Sequence, residues 1–240
     1  MPRFVNGPAA FGIGLALLLA YAVKSNAQQN QIIAIDIALE PDATMVQRAK
    51  ADNTRLLKAF PKGFALDATH NAHVTLLQRY VHTADLDRIY DAADKVLADE
   101  RPLGWKLKAF KYYYIRTPPL GLAGIVVQPT DDLRRLQQKL VDAIAPFAVK
   151  TGTAAAFYTT PEERDVSKPT IDYVATFVPI ATGEKFNPHV TIGVGTEVYL
   201  KEMLAKPFDA FTFSPAGASV YQLGDFGTAR KELKVLELTP

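Results

Sequence analysis

Apolar residues alternate with smaller or polar ones from Ile33 to Leu39, and this period of two predicts a β-strand. The same reasoning predicts six further strands. Their ranges are 72–81, 105–115, 122–128, 186–194, 207–222 and 231–238. Apolar residues at helical spacing predict four helices between them. These are 45–60, 85–99, 197–205 and one that begins after a Thr130 cap. Residues 151–170, rich in threonine, proline and charge, are expected to be irregular.

The order of these elements is similar in the two halves of the chain. In each half, a helix and two more strands follow a strand of similar sequence. Few helices lie between neighbouring strands, which argues against a doubly wound parallel sheet. The pattern therefore predicts an α+β fold in which two similar lobes form one compact domain.

The first 27 residues have the pattern of a secretory signal peptide. Arg3 gives a positive start, residues 11–22 form a short apolar run, and Ser25-Asn26-Ala27 is typical of a cleavage site. We expect a periplasmic or secreted protein whose residues 28–240 form a single bilobal domain without membrane contact. The alternative is an uncleaved N-terminal anchor. No later run approaches the ~18 apolar residues of a membrane span.

Charge and cysteine content restrict the possible functions. Arg3 and Lys24 account for the whole excess of the 27 Lys and Arg residues over the 25 Asp and Glu residues, so the rest of the chain is neutral. A neutral protein is poorly suited to long nucleic acids, whose affinity depends on many neutralised phosphates. Because the chain has no cysteine, it forms neither disulfides nor thiolate metal sites.

One tetrapeptide occurs twice, as His73-Val74-Thr75-Leu76 and as His189-Val190-Thr191-Ile192. In a strand, side chains two positions apart lie on one face, so each copy presents an imidazole beside a hydroxyl. If the two strands face each other, they supply a general acid, a general base and two hydrogen-bond donors around one cavity. These groups suit chemistry at a phosphate. The alternative is that they are ordinary polar residues of half-exposed strands.

The same alternation predicts which neighbours share a face with the motif residues. Leu77 is expected beside His73 and Thr75, and Gly193 beside His189 and Thr191. The apolar residues between them are expected to face the core. These residues are Val74, Leu76, Val190, Ile192 and Val194.

A metal site is the weaker hypothesis for the histidines. His70 and His73 have a ligand-like spacing, but two neighbouring ligands without a carboxylate make a poor zinc site. His82 ends a predicted strand and is expected to be solvated. Gly193-Val194-Gly195 and Asp225-Phe226-Gly227 are interpreted as turns. We therefore expect neither a metal nor an organic cofactor.

The paired motif resembles that of the 2H phosphoesterase superfamily, specifically its bacterial 2′-5′ RNA ligase and cyclic phosphodiesterase-like proteins. The resemblance rests on the two tetrapeptides, on Phe186-Asn187-Pro188 before the second, and on Val220-Tyr221-Gln222-Leu223. It implies two pseudo-symmetric lobes of antiparallel sheet, with helices packed outside and a central cleft between the motifs.

The resemblance also implies an activity and its residues. His73 and His189 would be the acid/base pair, and Thr75 and Thr191 would hold phosphate oxygens, without metal or cofactor. The implied reaction is the opening of a 2′,3′-cyclic phosphate or a related small cyclic phosphate ester, with 2′-5′ joining of RNA ends as the alternative. Export, neutral charge and an unusually wide separation of the motifs favour a small nucleotide or cyclic phosphate over RNA. Short RNA ends stay possible partners, and a monomer is expected.

Two hypotheses from other functional classes remain open. The chain could bind nucleotides or RNA fragments without catalysis while keeping the cleft. It could instead be a periplasmic metal-binding protein that uses His70, His73 and His189. The intact motifs favour the enzyme, because a binding protein has no need of two imidazoles.

Overall fold

The computed structural model describes residues 30–238. The predicted signal peptide, residues 1–27, lies outside the described residues, so export and the domain boundary at residue 28 stay predictions. None of the helices in the described part of the chain has the length and apolar character that crossing a membrane requires.

Residues 30–238 form nine strands and five α-helices, joined by loops and short 3₁₀ turns. The strands are β1 (Ile32–Pro41), β2 (Val74–His82), β3 (Leu107–Thr117), β4 (Leu120–Val127), β5 (Ala148–Val149), β6 (His189–Thr196), β7 (Phe211–Phe213), β8 (Pro215–Leu223) and β9 (Ala229–Val235). The helices are α1 (Ala43–Ala59), α2 (Leu86–Glu100), α3 (Asp131–Ile144), α4 (Lys168–Ala181) and α5 (Glu197–Leu204). Every predicted strand and helix is present, and the strand predicted over 207–222 is divided into β7 and β8. The interpretation of Gly193-Val194-Gly195 as a turn is wrong, because these residues pair with β4 inside β6.

The strands form one antiparallel sheet in the order β7-β3-β4-β6-β2-β1-β8-β9, with β5 paired to β2. It consists of two four-stranded halves, β2-β1-β8-β9 and β6-β4-β3-β7. The halves meet where the two motif strands touch, with Val74 opposite Val190. The predicted α+β fold with two related antiparallel lobes is confirmed, and both lobes belong to one continuous sheet.

The two halves share the same register around their motifs. In each half, the motif strand has one extra residue relative to its neighbour, which makes a β-bulge just after the threonine. The equivalent pairs are Ala38–Thr75 with Gly124–Thr191, Ile37–Leu77 with Ala123–Gly193, and Asp36–Gln78 with Leu122–Val194. Asp36 and Leu122 therefore occupy corresponding positions in the two halves.

The bulges correct the predicted faces of Leu77, Gly193 and Val194. Val194 was expected to face the core, but it is paired with the cleft-lining Leu122 of β4 and shares its face of the sheet. An extra residue reverses the alternation, so positions beyond it change face. Leu77 is buried in the main core, and Gln78 lines the cleft in its place. A Cβ atom on Gly193 would lie 2.9 Å from Asn53 Nδ2 of α1, so this position faces α1 instead of the cleft. The φ of +131° at Gly193 is a conformation that favours glycine.

The main core lies on the opposite face of the motif strands from their His and Thr side chains. Val74, Leu76, Val190 and Ile192 are fully buried there, as predicted. They pack with the alternate apolar residues of β1 and with buried positions of α1, α2 and α3. Because this apolar layer supports both motif strands, the polar face is free to line a cleft.

Side-chain caps start several of the helices. The predicted Thr130 cap of α3 is confirmed, since its hydroxyl accepts a hydrogen bond from the Leu133 amide at 3.2 Å. Helix α4 was not predicted, and it begins inside the stretch expected to be irregular. Pro169 near its start is tolerated in a first turn, but Pro179 and several β-branched residues weaken its helical pattern.

Candidate active site

Each motif histidine is held by a main-chain carbonyl two residues before it. His73 Nδ1 lies 2.7 Å from the Asn71 carbonyl oxygen, and His189 Nδ1 lies 2.7 Å from that of Asn187. Because a carbonyl oxygen only accepts, each Nδ1 carries the proton that it donates. Nε2 of each ring is therefore the atom available for proton transfer.

Both histidines and both threonines line one cavity of about 490 Å³. The structure thus brings together all four residues that the sequence predicted for the site, while their catalytic role stays a prediction. Tyr113 of β3 packs its ring against His189, with centroids 4.7 Å apart at 65°. The volume lies in the range of small-molecule pockets.

Asp36 lies beside His73 and was not predicted as a site residue. It is on β1, and its exposed fraction is 0%. Its Oδ2 accepts hydrogen bonds from Thr75 Oγ1 at 2.7 Å and Gln78 Nε2 at 3.2 Å, and lies 3.4 Å from His73 Nε2. The signal in the sequence is a single acidic residue within the apolar run of β1, since a charge in a buried strand needs polar partners.

The two imidazoles have different electrostatic surroundings. Burial opposes the charged form of His73, but the hydrogen bond and negative charge of Asp36 raise its pKa above the ordinary value. Desolvation lowers the pKa of His189 to about 4, and the charge of His73 acts in the same direction. At a pH between these two pKa values the cleft holds one charged and one neutral imidazole, which can serve as acid and base.

Apolar side chains make up most of the remaining cleft wall. They are Tyr113, Ile115, Leu122, Pro169, Tyr173, Phe177, Ile180, Ala181, Phe186 and Phe226. Among the described residues that line the cleft, Lys185 is the only lysine or arginine. The cleft therefore offers little positive charge for a polyanion and much surface for a compact ligand with an apolar or aromatic part.

The turn at Asp225-Phe226-Gly227, between β8 and β9, is hydrogen-bonded to the start of α4. One oxygen of Asp225 accepts hydrogen bonds from the Ser167 amide at 3.1 Å, the Ser167 hydroxyl at 2.7 Å and the Thr170 hydroxyl at 2.7 Å. The Phe226 amide donates in turn to the Thr170 hydroxyl at 3.0 Å. The segment is a turn, as predicted, and it holds the first turn of α4 at the cleft.

His70 does not line the cleft. Its ring stacks on Phe64 with centroids 4.7 Å apart, and its Nε2 lies 3.6 Å from a Glu163 oxygen. Residues 30–238 contain no group of three or more His, Asp or Glu side chains placed to hold a metal ion. The metal-binding hypothesis, which needed His70 beside His73 and His189, therefore has no support in this geometry. His82 ends β2 and is partly exposed, as expected.

A family model described as the 2′-5′ RNA ligase superfamily matches residues 40–216, which is well over half of the chain. The chain belongs to the 2′-5′ RNA ligase superfamily. The matched region contains both motifs and the whole cleft apart from the turn at residues 225–227. The resemblance seen in the two tetrapeptides is thus confirmed as family membership, in a superfamily of phosphodiesterases and RNA ligases.

Solved structures with a similar fold share little sequence identity with this chain. The protein TT0787 of Thermus thermophilus is 13% identical over 86% of this chain and 98% of its own, with a TM-score of 0.49. E. coli LigT, in a complex with 3′-AMP, is 16% identical over 88% of this chain and 99% of its own, also with a TM-score of 0.49. Comparison with curated proteins found no match. The family assignment therefore rests on the sequence match.

Proposed function

We propose that this protein is a metal-independent phosphodiesterase that opens a 2′,3′-cyclic phosphate or a related small cyclic phosphate ester. The observation that carries the proposal is the matched placement of two His-x-Thr pairs in one cavity, each histidine with Nδ1 on a carbonyl and Nε2 available. Membership of the 2′-5′ RNA ligase superfamily supports a reaction at a phosphodiester.

The proposed reaction needs one proton acceptor and one proton donor. The neutral imidazole takes a proton from a water molecule as the water oxygen forms a bond to phosphorus. The bond from phosphorus to one ring oxygen breaks, and the charged imidazole gives its proton to that leaving oxygen. The products are a phosphate monoester and a free hydroxyl group. Both motif threonines line the same cavity, and in this proposal they contact the other phosphate oxygens.

The size and lining of the cleft favour a small substrate. About 490 Å³ accommodates a mononucleotide-sized ester, and the apolar wall can cover its non-phosphate part. Tight binding of a polynucleotide depends on many cationic contacts, which a cleft with one lysine does not supply.

Hydrolysis of the four 2′,3′-cyclic nucleotides in the presence of EDTA tests the proposal. We expect each to be opened to a monoester at a rate that chelation does not change, because imidazole acid/base catalysis needs no metal. Activity that EDTA abolishes and Zn²⁺ or Mn²⁺ restores would overturn it. Tight nucleotide binding without any turnover would instead favour the non-catalytic binding protein.

The joining of RNA ends by a 2′-5′ linkage is the second candidate, because the superfamily that the chain matches is named for it. The same two proton transfers would form the bond, with a 5′-hydroxyl in place of water. The neutral imidazole takes the 5′-hydroxyl proton as the 5′-oxygen bonds to phosphorus, and the charged imidazole protonates the 3′-oxygen as its bond to phosphorus breaks. RNA fragments that carry 2′,3′-cyclic phosphate and free 5′-hydroxyl ends distinguish the two reactions. Ligated product in excess of hydrolysed ends would favour ligation.

We also propose that the protein acts outside the cytoplasm. The basic, apolar and small-residue segments of residues 1–27 support this proposal. Its substrate would then be a small ester present in the periplasm or the medium.

A further inference from the structure

The two halves of the cleft share a backbone arrangement but differ at one pair of side chains. Asp36 and Gln78 face each other across β1 and β2. Leu122 and Val194 occupy the corresponding positions across β4 and β6. One motif therefore has a carboxylate and an amide beside it, and the other has two aliphatic side chains.

Asp36 accepts hydrogen bonds from side chains of β2 that surround His73. A single oxygen, Oδ2, receives Thr75 and Gln78 as donors and faces His73 Nε2 at 3.4 Å. Its other oxygen, Oδ1, is buried and has no hydrogen-bond partner among the described residues. A buried carboxylate is costly without a compensating charge, so this arrangement favours a proton on His73 Nε2.

Other ionisable groups surround the two imidazoles. Glu40 of β1 adds a weaker negative charge on the His73 side, and its Oε1 accepts from Ser219 and Tyr221 of β8. The Tyr221 ring lies 6.4 Å from that of His73, and Tyr173 of α4 lies near Asp36. On the other side, His189 faces Tyr113 of β3 and the His73 ring. Asp36 thus raises the pKa of His73 more than Glu40 does.

We propose that Asp36 is a positioning residue that makes His73 the general acid and leaves His189 as the general base. The inference rests on the proposed function for the reaction, but the charge asymmetry that it describes exists without substrate. Asp36 stabilises the charged form of His73 although the cleft excludes water. The aliphatic pair beside His189 cannot stabilise a charge on that ring in the same way.

The assignment gives each proton a defined path. His189 Nε2 removes a proton from water as the new P–O bond forms, and His73 Nε2 protonates the leaving oxygen as the old P–O bond breaks. The two rings end with exchanged protonation states. Loss of the proton from His189 and return of a proton to His73, both by exchange with solvent, restore the starting state, and Asp36 favours this direction.

The Thr75 hydroxyl is involved in the same arrangement. Its one proton is donated to Asp36, so in this state it offers the phosphate only its lone pairs. Thr191 lines the cleft without this restraint. Asp36 therefore makes the Thr75 hydroxyl differ from that of Thr191, as it makes the His73 imidazole differ from that of His189.

The asymmetry predicts the pH profile of kcat/KM. Activity rises as His189 loses its proton, through a pKa of about 4, and falls as His73 loses its proton, through a pKa raised above the ordinary value. Asp36→Asn keeps the size of the side chain but removes its charge. Burial still disfavours the charged form of His73, so the pKa of His73 should fall. The alkaline limb should move down by about one to three pH units, and the acid limb should move much less.

Asp52→Asn is the matched control. Asp52 on α1 is also a buried carboxylate, 1% exposed, and accepts from Tyr112 Oη at 2.9 Å, but it does not line the cleft. Its substitution should leave both limbs in place. An Asp36→Asn profile with an unmoved alkaline limb, or an equal shift in the Asp52→Asn profile, would overturn the inference.

NMR titration of the histidine side chains in the unmodified protein tests the charge asymmetry without activity or mutation. His73 should titrate at higher pH than His189. The reverse order, or equal values, would refute the role of Asp36 even if cyclic nucleotides are hydrolysed. The predicted order in a protein that hydrolyses none of them would refute the proposed function and leave the charge asymmetry standing.

Discussion

His73 and His189 present the same atom to the cleft, because each ring is anchored through Nδ1 to the carbonyl two residues before it. The acceptor is a main-chain atom close in sequence, so the contact is the same in both copies of the motif. Differences in reactivity must then come from the neighbouring side chains. Asp36 is the neighbour that most clearly differs between the halves.

Replacement of either motif histidine should strongly reduce turnover. If one acts as acid and the other as base, His73→Ala and His189→Ala should each lower kcat by ~10² to 10⁴. Because both serve one step, the double variant should lose much less than the product of the two single losses. Steady-state kinetics on a 2′,3′-cyclic nucleotide measures all three values.

His70→Ala is the control for this experiment. His70 packs on Phe64 outside the cleft, so its loss should lower the free energy of unfolding and leave kcat nearly unchanged. Inactivation by His70→Ala, combined with normal turnover in His189→Ala, would contradict the paired-histidine site.

Helix α4 and the turn before β9 act together at the scale of secondary-structure elements. The helix supplies Tyr173, Phe177 and Ile180 to the cleft wall, and Asp225 holds its first turn through three hydrogen bonds. Since the histidines lie at the start of β2 and β6, we expect α4 to contribute to substrate binding and not to proton transfer. Substitutions in α4 should therefore alter the cleft wall without altering His73 and His189.

Asp225→Ala should loosen α4 and weaken substrate binding. Hydrogen bonds to a charged group are worth about 1.5–3 kcal/mol, so we expect KM to rise by roughly tenfold while kcat changes less. Hydrogen exchange of the α4 amides should increase in parallel. Asp172→Ala, which removes only the exposed pair with Lys168 on the same helix, should change neither quantity. Unchanged exchange and KM in Asp225→Ala would show that the turn does not hold the wall.

Considered as a whole, the molecule is one sheet whose two halves meet at the motif strands. β2 and β6 lie at the centre of the sheet, so the motif histidines and threonines lie where the two halves meet. Each motif strand is supported by a neighbour from its own half, β1 for β2 and β4 for β6. Because the core lies on the opposite face, substitutions in the cleft should have limited effect on folding. The remainder of the chain after residue 27 carries no net charge, which fits a small substrate better than a long polyanion.

Export should produce a shortened protein that begins at Gln28. The positive start, apolar run and Ser-x-Ala site of the first 27 residues predict cleavage after Ala27. Mass spectrometry of the periplasmic or secreted fraction should detect this N-terminus. Retention of the intact chain in the cytosol would contradict the prediction, and an intact chain in the membrane fraction would indicate an anchor.

The sequence by itself determined the strands other than the short β5, the paired motif and four of the five helices in residues 30–238. Period-two alternation and helical spacing are local properties, and the motif repeats too closely to arise easily by accident. Helix α4 was missed because Pro169, Pro179 and its β-branched residues weaken the local helical pattern. Its position depends on Asp225, which is more than fifty residues away along the chain.

Only the tertiary structure decided the faces beyond the bulges and the asymmetry of the cleft. A β-bulge depends on the pairing of two strands, so Leu77 and Gly193 could not be placed correctly from alternation alone. Asp36 is visible in the sequence as an acidic residue in an apolar strand, but its partner is set by the register of β1 against β2. That register, formed between residues far apart in the chain, is the physical reason why two nearly identical motifs have different electrostatic surroundings.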